Sequence, residues 1–437
     1  MVKVTFMGAG STVFAKNVLG DCLISPELKG MEIALYDIDN ERLQDSLLML
    51  KAINRQYKSK ATIKTYLGVR NRKKALAGAD FVVNAIQVGG YDPCTITDFE
   101  IPKKYGLRQT IADTLGVGGI FRALRTIPVI QDFLADMEQV CPNALFINYS
   151  NPMAIITGTI QKTSPIKSLG LCHSVQHCAE RLMHNVGLDA EYDEKVQWNI
   201  AGINHQAWLL SISKNGEDLY PRIKKLADEI ELPKEDLVRM KLMKTFGYYV
   251  TESSEHSSEY LPYFIKTTHP ELIEEYNIPL DEYPRRCINQ IEDWKKRREE
   301  LTTKNKLEHT NSGEYAAHII EAMLNNKPYK LGGNVVNKGY ITNLPKAACV
   351  EVPCIIDASG VQPLFVGDLP EQLAALNRTN INPQILAMEA AMTLKKEYVY
   401  EAALLDPHTA AELTIDQIIS MCDDLFEAHK DWMPAYH

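Results

Sequence analysis

The stretch VKVTFMGAGST, residues 2–12, constrains the fold more than any other part of this chain. An apolar strand runs directly into two glycines one residue apart, and a helical pattern follows from near Val13 to about Ile24. A second strand, EIALYD (32–37), ends in an acid. Strand, glycine turn, helix, strand, acid is the order in which a βαβ unit builds a dinucleotide site. Gly8 permits the tight turn, and Gly10 lets backbone N–H groups approach a pyrophosphate. Ser11 and Thr12 lead into the helix N-terminus on which that anion would rest. Asp37 would accept hydrogen bonds from the adenosine ribose. A carboxylate there repels a 2′-phosphate, which favours NAD over NADP. Val13 stands where the third glycine of the pattern falls, so the match is a variant. A glycine turn in a non-binding α/β protein is the plainer alternative.

The alternation continues. ADFVVNAI (79–86) and ALFINYS (144–150) read as further buried strands with helices between them, which makes a doubly wound sheet. Strand C-termini in such a sheet face the ligand crevice, which places Asn84 and Gly89 beside the nicotinamide half. A loop glycine pair is the other reading of QVGG. The run DTLGVGGIFRALRTIPVI (113–130) is a glycine-rich loop opening a long helix. Its free N–H groups, with Asp113 before them and Arg122 and Arg125 along the helix, suit an anionic or hydroxyl-rich ligand. Arg125 alternatively only covers the helix surface. In NYSNPMA (148–154), Asn151 caps the helix that Pro152 starts, bonds a sugar hydroxyl at the strand end, or does both.

Bulk properties remove several classes. The chain has 437 residues, room for two domains, and is 45% hydrophobic and 24% charged, as an ordinary globular enzyme is. A net charge of −9 with no long basic run argues against a nucleic-acid partner. No apolar run reaches the roughly 18 residues of a membrane span. The first apolar run is too short for a signal peptide. The nine cysteines contain no CxxC pair, and the expectation is reduced thiols in the cytoplasm.

Two elements then need a reason. SLGLCHSVQH (168–177) ends an apolar run in Cys172 and His173, and VQWNIAGINHQAWLL (196–210) carries Asn204 and His205. A thiolate and an imidazole, each after an apolar strand end, could hold a divalent ion whose other positions substrate oxygens fill. Two protein ligands are too few for a structural zinc site, so such a site would be catalytic. A buried cysteine and a core histidine explain the same residues without a metal.

Taken together these residues resemble the glycoside hydrolases of family 4, over nearly the whole length. The resemblance is carried by GAGST (8–12), NYSNP (148–152), CHSV (172–175), GINH (202–205) and TESSEHSSEYLPYF (251–264). The CHSV form is similar to that of members acting on unphosphorylated α-glycosides; the set as a whole most resembles the α-galactosidase branch, and α-glucosidase or α-galacturonidase activity is the alternative within the family. The resemblance implies NAD and a divalent ion, typically manganese, on Cys172 and His205. It also implies a reaction in four stages. Hydride leaves C3 of the sugar, a base takes the C2 proton as the C1–O bond breaks, water adds, and the hydride returns. Asn151, Asn204, Asp113 and Arg122 would hold the sugar. His173 would be the general acid for the leaving group, or an orienter of the metal site. The base would lie in TFGYYVTESSEHSSEY (245–260), where no Asp stands and Tyr248, Tyr249, Glu255 and Tyr260 are candidates.

The second half changes pattern. AWLLSISKNGEDLY (207–220) reads as a hairpin turning at Asn215–Gly216. Helices follow at 221–231, 234–246 and 283–305, the last with a solvated charged face, and a capped helix at 311–324. YITNLPKAACVEVPCII (340–356) reads as two strands separated by Pro345, and 383–402 as one helix packed on the first domain. The expected class is α/β: a Rossmann-like parallel sheet over 1–200, and an α+β substrate-binding and oligomerisation domain over 201–437. Leu and Met on the C-terminal helices suggest a homo-oligomer, dimer or tetramer. A 2-hydroxy-acid dehydrogenase and a nucleotide-sensing regulator are the rival classes. The first has no need of Cys172 beside His205, and the second does not explain so many polar residues at strand ends.

Overall fold

In the computed structural model, which describes residues 1–437, 13 strands form one sheet. The parallel part contains β1 (Lys3–Met7), β2 (Glu32–Asp37), β3 (Thr62–Leu67), β4 (Phe81–Asn84), β5 (Leu145–Asn148) and β6 (Ser168–Gly170). Their spatial order, β3-β2-β1-β4-β5-β6, is that of a dinucleotide-binding sheet with its crevice at the strand C-termini. β1 and β4 are buried along their whole length, which is why they read as unbroken apolar runs.

The sheet then continues with antiparallel partners. These are β7 (Val196–Ile203), β8 (Gln206–Lys214), β9 (Glu217–Asp218), β10 (Tyr249–Val250), β11 (Tyr329–Val336), β12 (Cys349–Asp357) and β13 (Gly360–Pro363). β11 lies against β6, and the order runs on through β12, β7, β8 and β10. One sheet therefore crosses from the parallel into the antiparallel half.

Several expectations need correction here. YITNLPKAACVEVPCII holds one strand, β12, and its partner β11 lies earlier, at 329–336. The glycines in YKLGGNVV hid β11 as a strand. They are required because a Cβ on Gly332 would sit 2.7 Å from the Val175 side chain. The single helix expected over 383–402 is two, Glu371–Thr393 and Lys396–Leu405, broken at Leu394, whose φ is 58°. The first of them does pack on the helices Gly116–Val140 and Met153–Thr163. The helix expected from 311 starts at Tyr315, because Ser312 gives both its N–H and its hydroxyl to Asp21 instead of capping. The Leu and Met that suggested an oligomer are largely core: Leu373, Met388, Met421 and Leu425 are fully buried. The Asn215–Gly216 turn stands as expected, joining β8 to the two-residue β9. No helix is long and apolar enough to cross a membrane.

Candidate active site

Strand register builds the site. Met7 pairs with Asn84, Asn84 with Asn148, and Asn148 with Gly170. The residues that follow these ends, from Gly8 to Cys172, therefore share one edge of the sheet. They lie three strand spacings apart, roughly 14 Å.

At the Gly8 end, φ is 88° and a Cβ would meet the Ala85 carbonyl oxygen at 2.7 Å, so only glycine makes this turn. The Gly8 and Ala9 N–H groups bond the Tyr36 carbonyl, which ties the turn to β2. Gly10 N–H donates to Asp37 Oδ2 at 2.6 Å, and Asp39 N–H to Asp37 Oδ1 at 2.9 Å. Each carboxylate oxygen keeps a second lone pair, so the acid is fixed in place while still able to accept from a ribose. Thr12 precedes the helix Val13–Ile24 without capping it, and the buried Ser11 hydroxyl has no partner. A helix N-terminus with no acid in its first turn and a spare hydroxyl beside it fits a pyrophosphate.

Asn84 is fully buried at the end of β4. It donates to Asn148 Oδ1 at 2.9 Å and Ser150 Oγ at 3.1 Å, which leaves its own Oδ1 unpartnered. Gly89 has a packing reason of its own, since a Cβ there would overlap Cys94 Sγ at 2.1 Å. Arg125 does not cover the helix surface. It is fully buried, donates to both Asp98 oxygens, and belongs to the core with His429.

At the other end, Cys172 leaves β6 and His205 turns the β7–β8 hairpin, with Ile203 paired to Gln206 and φ of 63° at His205. Glu252 follows β10, which is paired to β8 two residues past the turn. The ligand atoms of Cys172, His205 and Glu252 all lie within 4.8 Å of one another. Glu252 Oε2 is 3.4 Å from His205 Nε2 and 3.9 Å from Cys172 Sγ, and Ser174 Oγ is 3.2 Å from that sulfur. The buried His205 Nδ1 and Asn204 Nδ2 have no partner. Glu252 is the residue that sequence reasoning missed. Its signal was an acid directly after a strand end, the same placement that marked Cys172 and His205.

The electrostatics separate this cluster from ordinary core. Burial opposes ionisation of Glu252, yet His256, His205 and the Ser253 N–H pull its carboxyl down to about 2. Burial and the Glu252 charge push the Cys172 thiol well above its usual range. A cation would reverse that, because a metal ligates the thiolate. A sulfur, an imidazole and a carboxylate converging in a buried place fit a divalent transition metal with room for substrate oxygens.

Around the cluster stand the residues expected to hold a sugar. His256 lies edge-on to His205 with ring centroids 4.5 Å apart. Its Nε2 is 4.0 Å from Asp113 Oδ1, which is buried and unpartnered. Asp113 Oδ2 accepts from Asn151 Nδ2 at 3.2 Å, and the Asn151 carbonyl accepts from Arg122 Nε at 3.2 Å. Asn151 thus gives one side-chain N–H to Asp113, and the helix begins at Met153 after Pro152 rather than on an Asn151 cap. Glu259 accepts the N–H groups of Thr110, Ile111 and Ala112, and this holds the loop that presents Asp113. Gly118 lets that loop close, since a Cβ would strike the Ala112 carbonyl at 2.5 Å.

Three expected catalytic residues have other partners. The buried Tyr249 hydroxyl donates to Asp236 at 2.7 Å, and Arg239 lies 4.0 Å from its ring centroid. Tyr248 packs on Tyr220 with centroids 5.9 Å apart. Glu255 is ion-paired with Arg286 at 2.6 Å. Of the four candidates only Tyr260 stands beside His205, at 6.3 Å between ring centroids, with its hydroxyl donated to Thr114. The reason is where β10 ends: Tyr249 lies within the strand and is held in the core by Asp236 and Arg239, whereas Glu252 follows the strand end and reaches the hairpin at His205. His173 Nε2 lies 2.7 Å from Glu314 Oε2.

Comparisons with known proteins point to one family. A model of the family 4 glycosyl hydrolases matches residues 3–188, and one of that family's C-terminal domain matches residues 200–409. The chain is 59% identical over 437 residues to an alpha-galactosidase of Bacillus subtilis (strain 168), and the match covers 100% of both chains. The solved structure of lplD from Bacillus subtilis is 26% identical with a TM-score of 0.87, covering 97% of this chain and 99% of that one. A 6-phospho-alpha-glucosidase from gut microorganisms, in complex with NAD and Mn2+, shares the fold at 21% identity and a TM-score of 0.83, covering 100% of both chains.

Proposed function

On the premise that the chain belongs to the family 4 glycosyl hydrolases, we propose that it is an α-galactosidase dependent on NAD and a divalent metal, manganese by preference. The observation that carries this reading is the convergence of Cys172, His205 and Glu252 on the edge that also carries the Gly8–Asp37 turn. Full-length likeness to an alpha-galactosidase supports the glycone.

Gly8, Gly10, Ser11, Thr12 and Asp37 would hold the dinucleotide, with Asn84 at the nicotinamide end, and Cys172, His205 and Glu252 would hold the metal. When bound, the dinucleotide supplies a reversible hydride acceptor and the metal polarises sugar oxygens, which together acidify the neighbouring C–H. The chain's own residues do the rest. Asn151, Asn204 and Arg122 orient the sugar. Asp113 Oδ1 takes the C2 proton, since it is a buried carboxylate oxygen with no other partner and His256 stands 4.0 Å away. Tyr260 is the second candidate base, but its hydroxyl is already donated to Thr114. His173 delivers a proton to the leaving oxygen. A reduced Cys172 suits the cytoplasm. The homo-oligomer reading now rests on the exposed Ile288 and Ile291 of the helix Glu282–Thr303, rather than on the C-terminal helices.

The test is turnover of p-nitrophenyl α-galactoside with NAD+, Mn2+ and a thiol reductant, run beside the α-glucoside and the α-galacturonide. Hydrolysis of the galactoside first, without net NADH, is expected. Stoichiometric NADH from a 2-hydroxy acid would overturn the reading.

A further inference from the structure

His173 is held more firmly than a solvent-facing histidine needs to be. Its ring packs against those of Tyr149 and Tyr315, with centroids 6.0 Å away in each case and interplanar angles of 28° and 24°. Nε2 is 2.7 Å from Glu314 Oε2, while Nδ1 makes no hydrogen bond to the protein. The imidazole side chain is 46% exposed, whereas that of Glu314 is only 9% exposed. A buried carboxylate thus grips one nitrogen of a ring whose other nitrogen is free.

Glu314 is itself anchored. Its N–H donates to Asp21 Oδ2 at 3.2 Å. Asp21, on the helix Val13–Ile24, also receives the Ser312 N–H at 2.8 Å, the Ser312 hydroxyl at 2.7 Å and His309 Nε2 at 2.7 Å. Four hydrogen bonds on one buried carboxylate fix the start of the helix Tyr315–Asn325, and with it the place of Glu314. The first helix of the dinucleotide unit therefore determines, through Asp21 and Glu314, where the His173 ring stands.

We propose that Glu314 is a positioning residue for bond cleavage: it accepts the Nε2–H of a His173 imidazolium, fixes the ring plane, and leaves the Nδ1–H to be given to the aglycone oxygen, after which the neutral ring keeps its Nε2–H on Glu314. The inference rests on the glycosidase reading above. A carboxylate that orients an imidazole through its second nitrogen is a general device, and its removal disturbs orientation before it disturbs binding.

The experiment compares two aglycones on one glycone. A p-nitrophenolate leaves without a proton, and a sugar alkoxide does not. In Glu314→Ala, kcat for an α-galactosyl disaccharide should fall by about 30-fold or more while kcat for the p-nitrophenyl galactoside falls by less than about 3-fold, general-acid contributions being about 10²–10⁴-fold. KM for both and the affinity for NAD+ should hold. Glu314→Gln, which keeps an acceptor oxygen and the side-chain volume, should fall between wild type and Ala. In a His173→Ala background, Glu314→Ala should not change the ratio of the two rates further. An equal loss on both substrates, no loss on either, or a further change of the ratio in the His173→Ala background overturns the proposal. A wild-type protein that turns over no α-glycoside sinks the glycosidase reading and this proposal together. An active wild type with an unchanged ratio in the variants sinks only the role of Glu314.

Discussion

The two ends of the crevice are built in opposite ways. The Gly8 end is local: turn, helix and acid lie within 30 residues, and Gly10 N–H bonds Asp37 directly. The Cys172 end is assembled from three distant pieces, a parallel strand end, a hairpin turn and the exit of a two-residue strand. The local end offers a ligand mainly backbone N–H groups, and the assembled end offers side chains. Binding of NAD and binding of metal should therefore fail separately.

The largest expected effect follows from that. Cys172→Ser should lose metal and about 1000-fold or more in kcat/KM, since a metal supplies several kcal/mol of transition-state stabilisation. The affinity for NAD+ should stay within about 2-fold, measured by fluorescence titration. A parallel loss of NAD+ binding would break the comparison. Asp113→Asn should retain both ligands and lower kcat by about 100-fold. Exchange of the C2 proton with D2O, read by NMR of the product, should cease with it. Exchange at the wild-type rate would move the base to Tyr260. Next in size, Asp37→Ala should weaken NAD+ by about 10-fold, the worth of a charge-assisted hydrogen bond, and leave metal affinity unchanged.

What the sequence made legible follows the same division. β2, the helix Val13–Ile24 and the placement of Gly8 and Asp37 could be read because periodicity and the glycine turn act over a few residues. Cys172 and His205 were found as strand-end residues, but their meeting depends on β11 and β12 bridging β6 to β7, which no local pattern announces. The segment 248–260 was the hardest to assign. Tyr248, Tyr249, Glu252, Glu255, His256 and Tyr260 all carry the right chemistry, and the choice among them is made by β10 pairing with β8. A two-residue strand has too short a period to be detected. Glu314 was visible only as part of a capped helix, because its purpose depends on Asp21, almost three hundred residues earlier.

The smallest effect sharpens the comparison within one short segment. Glu252 precedes the helix Ser254–Glu259 and Glu259 ends it; both are half-buried, and they shift in opposite directions. Histidines beside Glu252 hold it down to about 2, whereas burial pushes Glu259 up to about 7 despite its three backbone N–H donors. An ordinary glutamate titrates near 4.3 in the unfolded chain. Glu252 therefore adds stability above about pH 4.3 that is lost as pH falls toward about 2. Glu259 does the reverse: its contribution is complete below about pH 4.3 and declines as pH rises through about 7. In metal-free protein, the unfolding free energy of Glu259→Gln, from denaturant titration, should fall less than that of wild type between pH 5 and 7.5, by about 1–2 kcal/mol over that interval. Glu252→Gln should flatten only the acid limb. If both variants flattened the same limb, the two carboxylates would be titrating as one group, and the division between a metal-facing and a loop-holding end of this helix would be wrong.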